Sequence, residues 1–349
     1  MTKGTITVIA ISVALAIASF NAFNNIETPQ ARLDVATIQK FNQWAVKYSK
    51  VYTSPRERAY RMTLFAEKLK RIEEVNSDPT KGYKLGLNLF SDMTQEEFLI
   101  KYTGKKPTPL SVPLAKQTPV KQTRTSINWV ALGKVTEVKA QLDCGSCWAF
   151  STNGAIESNL VIEHGFSNRI NLSEQQLVDC SWDWNNKGCE AGLEVNALAY
   201  ANAAGGITTE TVYPYTATDT AACKFNKDTA VPTKFDFSRI AAGEKNLVTV
   251  LNKYPVAVGV VVSGDFNSYK SGIYRGTCLH SRFYINHGVV AVAYGTDSRT
   301  GQQYFTIKNS WGKGWGEAGY MRMIRGVERT NGWCGVAADV LDARVTEVQ

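Results

Sequence analysis

The chain predicts an α+β protein of two subdomains, preceded by a helical N-terminal segment. Three observations carry this expectation. Helix-period apolar patterns fill the region before residue 105, two further helical blocks follow a polar linker, and strand signals are confined to the C-terminal half. Helices first and strands second mark an α+β arrangement rather than alternating α/β units. A length of 349 residues with 44% hydrophobic and 11% aromatic residues is ordinary for a folded globular chain and argues against disorder or coiled coil.

The elements follow in order. Lys3, then an apolar run from Ile6 to Ala18 and polar Asn21, Asn24 and Asn25, reads as a secretory signal peptide over 1–22, too short for a membrane anchor. From Asp34 to Asn76, Val35, Ile38, Phe41, Trp44, Ala45 and Tyr48, then Tyr60, Leu64, Phe65, Leu69 and Ile72, fit two amphipathic helices broken near Ser54-Pro55. Glu57, Arg61, Phe65, Ile72 and Asn76 line one side of the second. Gly86 to Asp92 alternates like a short strand, and Thr94 to Glu97 has the form of a helix cap. Lys105 to Thr125, rich in Pro, Lys, Thr, Gln and Ser, predicts an exposed linker. Helices are expected from Cys147 to His164, ending at Gly165, and after Ser173, whose Gln176 completes a capping pattern. Strands are expected at 255–262, 288–294, 304–308 and 320–325.

Charge is distributed unevenly. The net charge of +8 suggests a nucleic-acid or membrane partner only until it is mapped. Residues 1–122 hold 18 Lys+Arg against 10 Asp+Glu, whereas 123–349 hold 21 of each. No basic patch with interleaved aromatics lies on the larger domain, so no nucleic acid is expected as a partner.

The run Gln141 to Phe150 holds the strongest chemical signal. Cys147 opens a helical segment, where unpaired N–H groups and the macrodipole favour a thiolate. Gln141, six residues earlier, offers an amide donor to an oxyanion. Taken alone, Cys144-Gly-Ser-Cys147 is equally a redox pair or half a zinc site. No second Cys-x-x-Cys completes a zinc site, so no metal is expected. Seven cysteines in a secreted chain leave one thiol over. Of the three histidines, His164 sits at a helix end and His280 in a polar turn beside Cys278. His287 stands at the mouth of the apolar run Gly288 to Ala293, fixed as a catalytic base needs to be. Asn309 and Trp311 in Lys308-Asn-Ser-Trp-Gly312 offer an amide for that imidazole and an indole to cover the contact.

These motifs resemble those of the papain-like cysteine proteases of the cathepsin L type, whose Cys-Gly-Ser-Cys-Trp signature and distant His and Asn are matched here with 140 residues between Cys147 and His287. Glu57, Arg61, Phe65, Ile72 and Asn76 resemble the helical motif of the family's inhibitory pro-segment, with Lys68 where Asn is usual; Gly86, Asn88, Phe90 and Asp92 resemble its second motif. The resemblance implies a signal peptide at 1–22, a pro-segment at 23–122 and a peptidase domain at 123–349. It also implies a papain-like fold: a helical left subdomain and a β-barrel-like right subdomain, with the cleft between them. Disulfides Cys144–Cys189, Cys180–Cys223 and Cys278–Cys334 are implied, leaving Cys147 as nucleophile, His287 as its partner, Asn309 as orienting group and Gln141 as oxyanion donor. No cofactor is implied. The implied partners are protein and peptide substrates and the chain's own pro-segment, acting on a monomer that holds no membrane after signal removal.

Two positions depart from the family pattern: Leu142 and Ala191 each stand where Gly is usual, while Gly192, matched to the substrate-backbone site, is retained. Leu193, Glu194, Gly259, Ile285 and Asp339 match the S2 specificity pocket, with Trp311 beside the cleft. Asp339 at the pocket floor is expected to let Arg or Lys at P2 compete with Leu or Phe. The short loop between Cys180 and Cys189 leaves the cleft open-ended, which favours endopeptidase action, and Asn171 is the one glycosylation sequon. A basic pro-segment against a neutral mature domain predicts release in acid and cleavage near 120–125. A catalytically silent, peptide-binding homologue and a thiol–disulfide oxidoreductase are the competing readings. The compartment, an acidic vacuole or lysosome or the exterior, is left open.

Overall fold

The computed structural model describes residues 33–116, 124–166, 170–219, 222–327 and 330–348. The expected signal peptide lies outside these residues, as does most of the expected cleavage region. The chain divides into two units, one ending at Tyr52 and one running from Thr53 to Gln349.

The first unit carries helix α1, Val35–Lys47, capped by Asp34, whose carboxylate accepts from the Thr37 N–H at 2.8 Å. Phe41 stacks with Trp44 and Tyr52 at centroid distances of 5.9 and 6.0 Å.

The second unit opens with α2, Pro55–Ser77, where Ser54 is the N-cap and Pro55 fills the first turn that needs no donor. Asn76 at its end brackets Leu85 through both side-chain amide atoms, at 2.9 Å each. This pins a short strand β1, Tyr83–Leu85. The expected strand over 86–92 does not form. There the Asn88 side chain turns inward, accepting from the Phe90 N–H at 3.0 Å and donating to the Asn267 carbonyl at 2.7 Å, so a side chain replaces ladder partners. Thr94 and Glu97 form a reciprocal capping box at the start of α3, Gln95–Tyr102. Arg61 joins the two helices, donating to Glu97 at 2.6 Å and to the Asp92 carbonyl at 3.2 Å.

After β2 (Ile127–Asn128), α4 (Cys147–Glu163), α5 (Glu174–Cys180) and α6 (Glu194–Ala204) build the helical half. Strand β3 (Gly206–Thr208), long β4 (Ala230–Ile240), helix α7 (Glu244–Leu251), and strands β5 (Val256–Val260), β6 (Tyr269–Tyr274), β7 (His287–Thr296), β8 (Gln303–Lys308), β9 (Tyr320–Ile324) and β10 (Val340–Val348) follow. Sheet order is β1-β6-β9-β8-β7-β5-β10-β4-β3, with β2 also on β7. Among the described residues, only the β6–β9 pair within it is parallel.

The sheet is not closed into a barrel, which corrects the barrel-like expectation. Alternate residues of β5 and β10 face two different cores. Val256, Val258, Val260 and Val340 join the sheet-side cluster, while Ala257, Leu341, Ala343 and Val345 join the helical cluster around Trp148, Leu160 and Leu198. A strand buried on both faces belongs to an open, two-sided sheet, and α4 lies on that second face against β7, β5 and β10.

Candidate active site

Cys147 is the first residue of α4, fully buried and the one unbridged cysteine among the described residues. The other six form Cys144–Cys189, Cys180–Cys223 and Cys278–Cys334. The α4 N-cap, Ser146, makes no side-chain cap and instead bonds the Tyr215 hydroxyl at 2.6 Å. The first turn of α4 is closed by the Ser146 carbonyl, which accepts from the Ala149 and Phe150 N–H groups at 2.8 and 3.3 Å, so Cys147 sits at the positive end of the helix dipole with no side-chain cap beside it.

His287 begins β7, and the pairing of that strand with β5 and β8 fixes its ring. Its Nε2 lies 2.8 Å from Asn309 Oδ1, and Nδ1 has no hydrogen-bond partner. Trp311 stacks on the imidazole at 4.7 Å with a 30° interplanar angle, sealing the Asn309 contact from water. Gln141 is fully buried. Its Nε2 donates to the Cys144 carbonyl at 2.8 Å and its Oε1 accepts from Ser310 Oγ at 2.7 Å. Nearby, Lys139 bridges Glu157 of α4 and Glu174 of α5 at 2.9 and 2.8 Å, holding the segment that leads into Gln141.

Burial pushes the Cys147 thiol up to about 12, although the nearby Gly288 and Lys105 backbone N–H groups pull the other way. Burial also pushes His287 down to about 4, against the opposing hydrogen bond that its ring donates to Asn309. Both groups are neutral while covered, because neither charge has water to solvate it.

The cover is residues 101–108, whose last four residues begin the stretch 105–125 expected to be an exposed linker. At that start the expectation fails, because Lys105 and Thr108 are buried, whereas 109–111, 113, 114 and 116 are exposed as expected. Gly104 and Lys105 donate their N–H groups to the Asn286 carbonyl at 3.0 and 3.1 Å. Gly192 donates to the Gly104 carbonyl at 2.8 Å and accepts from the Lys106 N–H at 3.4 Å, in a parallel bridge. Gly104 passes so close to Gly145 that a Cβ on either would collide with the other's neighbourhood, and a Cβ on Gly192 would strike the Trp148 ring. These three positions admit only glycine.

The Lys105 side chain enters the predicted S2 residues. Its ammonium bonds the Glu194 carboxylate directly and lies 3.2 Å from Asp339, with Gly259 and Ile285 packed about its stem. Side-chain exposure is 2% or less for all three charged groups. Asp339 does not point to solvent; it also accepts from the Thr108 N–H at 3.0 Å and from Arg282 at 3.3 Å. Burial alone would raise its carboxyl, but the Lys105 charge overrides this and holds it below the ordinary value. Leu193 is the half-buried N-cap of α6.

Two further contacts bind this cover to the domain behind it. Arg71 of α2 forks onto Asp265 at 3.1 and 2.8 Å. Lys101 lies 2.8 Å from Asp143, which also accepts from the Tyr102 hydroxyl. Phe90, Phe98 and Tyr102 close an aromatic cluster on Trp311, whose Nε1 donates to the Tyr102 carbonyl at 3.2 Å. Of the two departures from the family pattern, Leu142 adopts φ of 52° and is half exposed, whereas Ala191 keeps an ordinary negative φ. The sequence reading did not single out Lys105, Asp143, Asp265 or Asn286. Only Asn286, directly before His287, carried a positional hint.

The model of the papain family of cysteine proteases matches residues 123–343, and that of the cathepsin propeptide inhibitor domain matches 41–98. The chain is 41% identical over 310 residues to a cathepsin L-like proteinase of Fasciola hepatica, covering 85% of this chain and 90% of that one. It is 36% identical over 315 residues to ananain of Ananas comosus, with 87% of each covered. Among solved structures, a recombinant stem bromelain precursor superposes with a TM-score of 0.79 at 35% identity, covering 89% of this chain and all of that one. Procathepsin L 3 from Tenebrio molitor larval midgut gives 0.78 at 34%, with the same coverage.

Proposed function

Because this chain belongs to the papain family of cysteine proteases, we propose that it is the zymogen of an endopeptidase of the secretory route, in which Cys147, His287, Asn309 and Gln141 carry the chemistry. The observation that carries this reading is the buried imidazole of His287, held through Nε2 by Asn309 with Nδ1 unpartnered, in the cleft that Cys147 opens at a helix N-terminus.

In the proposed cycle the cover leaves, water reaches the cleft, and the Cys147 proton passes to His287 Nδ1. The thiolate attacks the substrate carbonyl carbon. The resulting oxyanion accepts from the Cys147 backbone N–H and from the Gln141 amide, which has one N–H beyond that given to Cys144. His287 returns its proton to the leaving amine as the C–N bond breaks. Water, deprotonated by His287, then cleaves the thioester and restores the thiol. Asn309 keeps the ring oriented and Trp311 shields that hydrogen bond.

Acid release of the pro-segment is supported by the polarity of the ion pairs. Among the described residues, Arg71–Asp265, Lys101–Asp143, Lys105–Glu194 and Lys105–Asp339 each take the cation from the segment before residue 123 and the carboxylate from the domain after it. Protonating the carboxylates leaves only cations on one side. Processing no faster at pH 4.5 than at pH 7 would refute this. Labelling of the acid-processed enzyme by a thiol-directed peptide epoxide, abolished in Cys147→Ser, tests the catalytic assignment; absence of labelling would favour a silent binding homologue.

A further inference from the structure

We propose that Asp143 is a specificity-determining residue on the leaving-group side of the cleft, selecting substrates with Lys or Arg two or three residues after the cleaved bond. This rests on the peptidase reading above and extends it to the half of the substrate that the S2 pocket does not see.

The cover traces a path across the site within five residues, Lys101 to Lys105. At one end the Lys105 side chain fills the pocket of Glu194 and Asp339, on the acyl side. Its backbone N–H, with that of Gly104, donates to the Asn286 carbonyl directly before His287. Moving back along the chain, Gly104 passes over Gly145 and the Tyr102 carbonyl meets the Trp311 indole. Beyond that, the Lys101 ammonium and the Tyr102 hydroxyl both end on Asp143. Asp143 therefore lies across Cys147 from the S2 pocket, two residues beyond Gln141, where the departing half of a peptide must pass.

The position is built to take a cation. Asp143 sits on the turn fixed by the Cys144–Cys189 bridge and by Gln141, so its carboxylate is presented from a rigid base. Its side chain keeps 56% exposure even under the pro-segment, so an arriving side chain reaches it without displacing buried groups. The pro-segment places a lysine at both acidic positions that flank Cys147, one at Asp143 and one at Glu194 with Asp339. At about 3.3 Å per extended residue, a substrate residue two or three places beyond the cleaved bond spans the separation that Lys101 and Lys105 bridge here.

The test uses acid-processed enzyme and a pair of internally quenched peptides that differ only in Lys or Gln at the second and third leaving-side residues. An exposed ion pair gives a preference for Lys of about two- to fivefold in kcat/KM, shrinking with added salt. Asp143→Asn is expected to bring the ratio to one, and Asp143→Lys to favour Glu over Lys in the same positions. A wild-type ratio of one, or a ratio that survives Asp143→Asn, overturns the proposal while leaving the peptidase reading intact. If neither peptide is cut, the two fall together.

Discussion

Replacing Lys105 by Gln removes one charge from a site that holds four. Glu194 and Asp339 then lie buried with Arg282 as the one remaining cation, at the rim. Breaking a buried ion pair by deleting one partner costs about 3–5 kcal/mol. An independent route gives the same size: forcing one carboxyl of ordinary value near 4 to take up a proton at pH 7 costs about 4 kcal/mol. Closed zymogen should accordingly lose roughly a hundredfold or more in its ratio to open zymogen at pH 7. The assay is the rate at which full-length protein is labelled at Cys147 by a peptide epoxide, since only the open form exposes the sulfur. The pH dependence gives a second check. In the wild type Asp339 is held below the ordinary carboxylate range, so its contribution to closure is present above that range and is lost as pH falls through its lowered value. In Lys105→Gln the acids have lost that partner, so acid relieves their repulsion and closure at this contact strengthens as pH falls. Labelling of Lys105→Gln at the wild-type rate at pH 7 would refute the reasoning.

Three further outcomes are expected. Leu142→Gly should stabilise the protein by about 0.5–1 kcal/mol in a denaturant titration, because a left-handed φ costs a side-chain-bearing residue about 1–2 kcal/mol and glycine returns part of that as chain entropy; a loss of stability would count against it. Asp339→Ala and Glu194→Gln should each lower the ratio of Arg-Arg to Leu-Arg peptide cleavage in the processed enzyme, and an unchanged ratio in both would sink the basic-P2 reading. His287 should titrate near 4 in the zymogen by imidazole NMR and higher once processed. Because its value is depressed when covered, its contribution to closure is lost as pH falls from about 6.5 towards 4; an unchanged resonance midpoint between the two forms would contradict the burial argument.

What the sequence made legible was local or chemically marked. Ser54-Pro55 and Thr94 to Glu97 cap their helices through partners within three residues, so the signal and its structure coincide. Cys147, His287 and Asn309 were legible because few residue types do this chemistry and the chain holds only three histidines. Asn88 misled because leucines at 87 and 89 alternate like a strand while the asparagine, in fact, makes a turn. Strands β4 and β10 went unread for a related reason: each pairs along its length with the other, and residues such as Asp236, Asp342 and Arg344 interrupt the apolar pattern. Lys105 was the least legible. A lysine in a Pro- and Lys-rich stretch reads as solvent-facing, and only two carboxylates brought in from 89 and 234 positions away make its burial tolerable.

The open sheet has a consequence for the processed enzyme. Strand β1 belongs to the segment before residue 123, and it covers the outer edge of β6. If the proposed processing removes that segment, it strips a strand as well as uncovering Cys147, and the edge of β6 that β1 pairs here loses its partner while the edge on β9 keeps its own. Lys270 on that strand, together with the left-handed kink at Gly272, is then the main protection against edge-to-edge sticking. Under the proposed processing, colloidal behaviour would depend in part on these six residues, remote from the chemistry, and would change at the moment of activation.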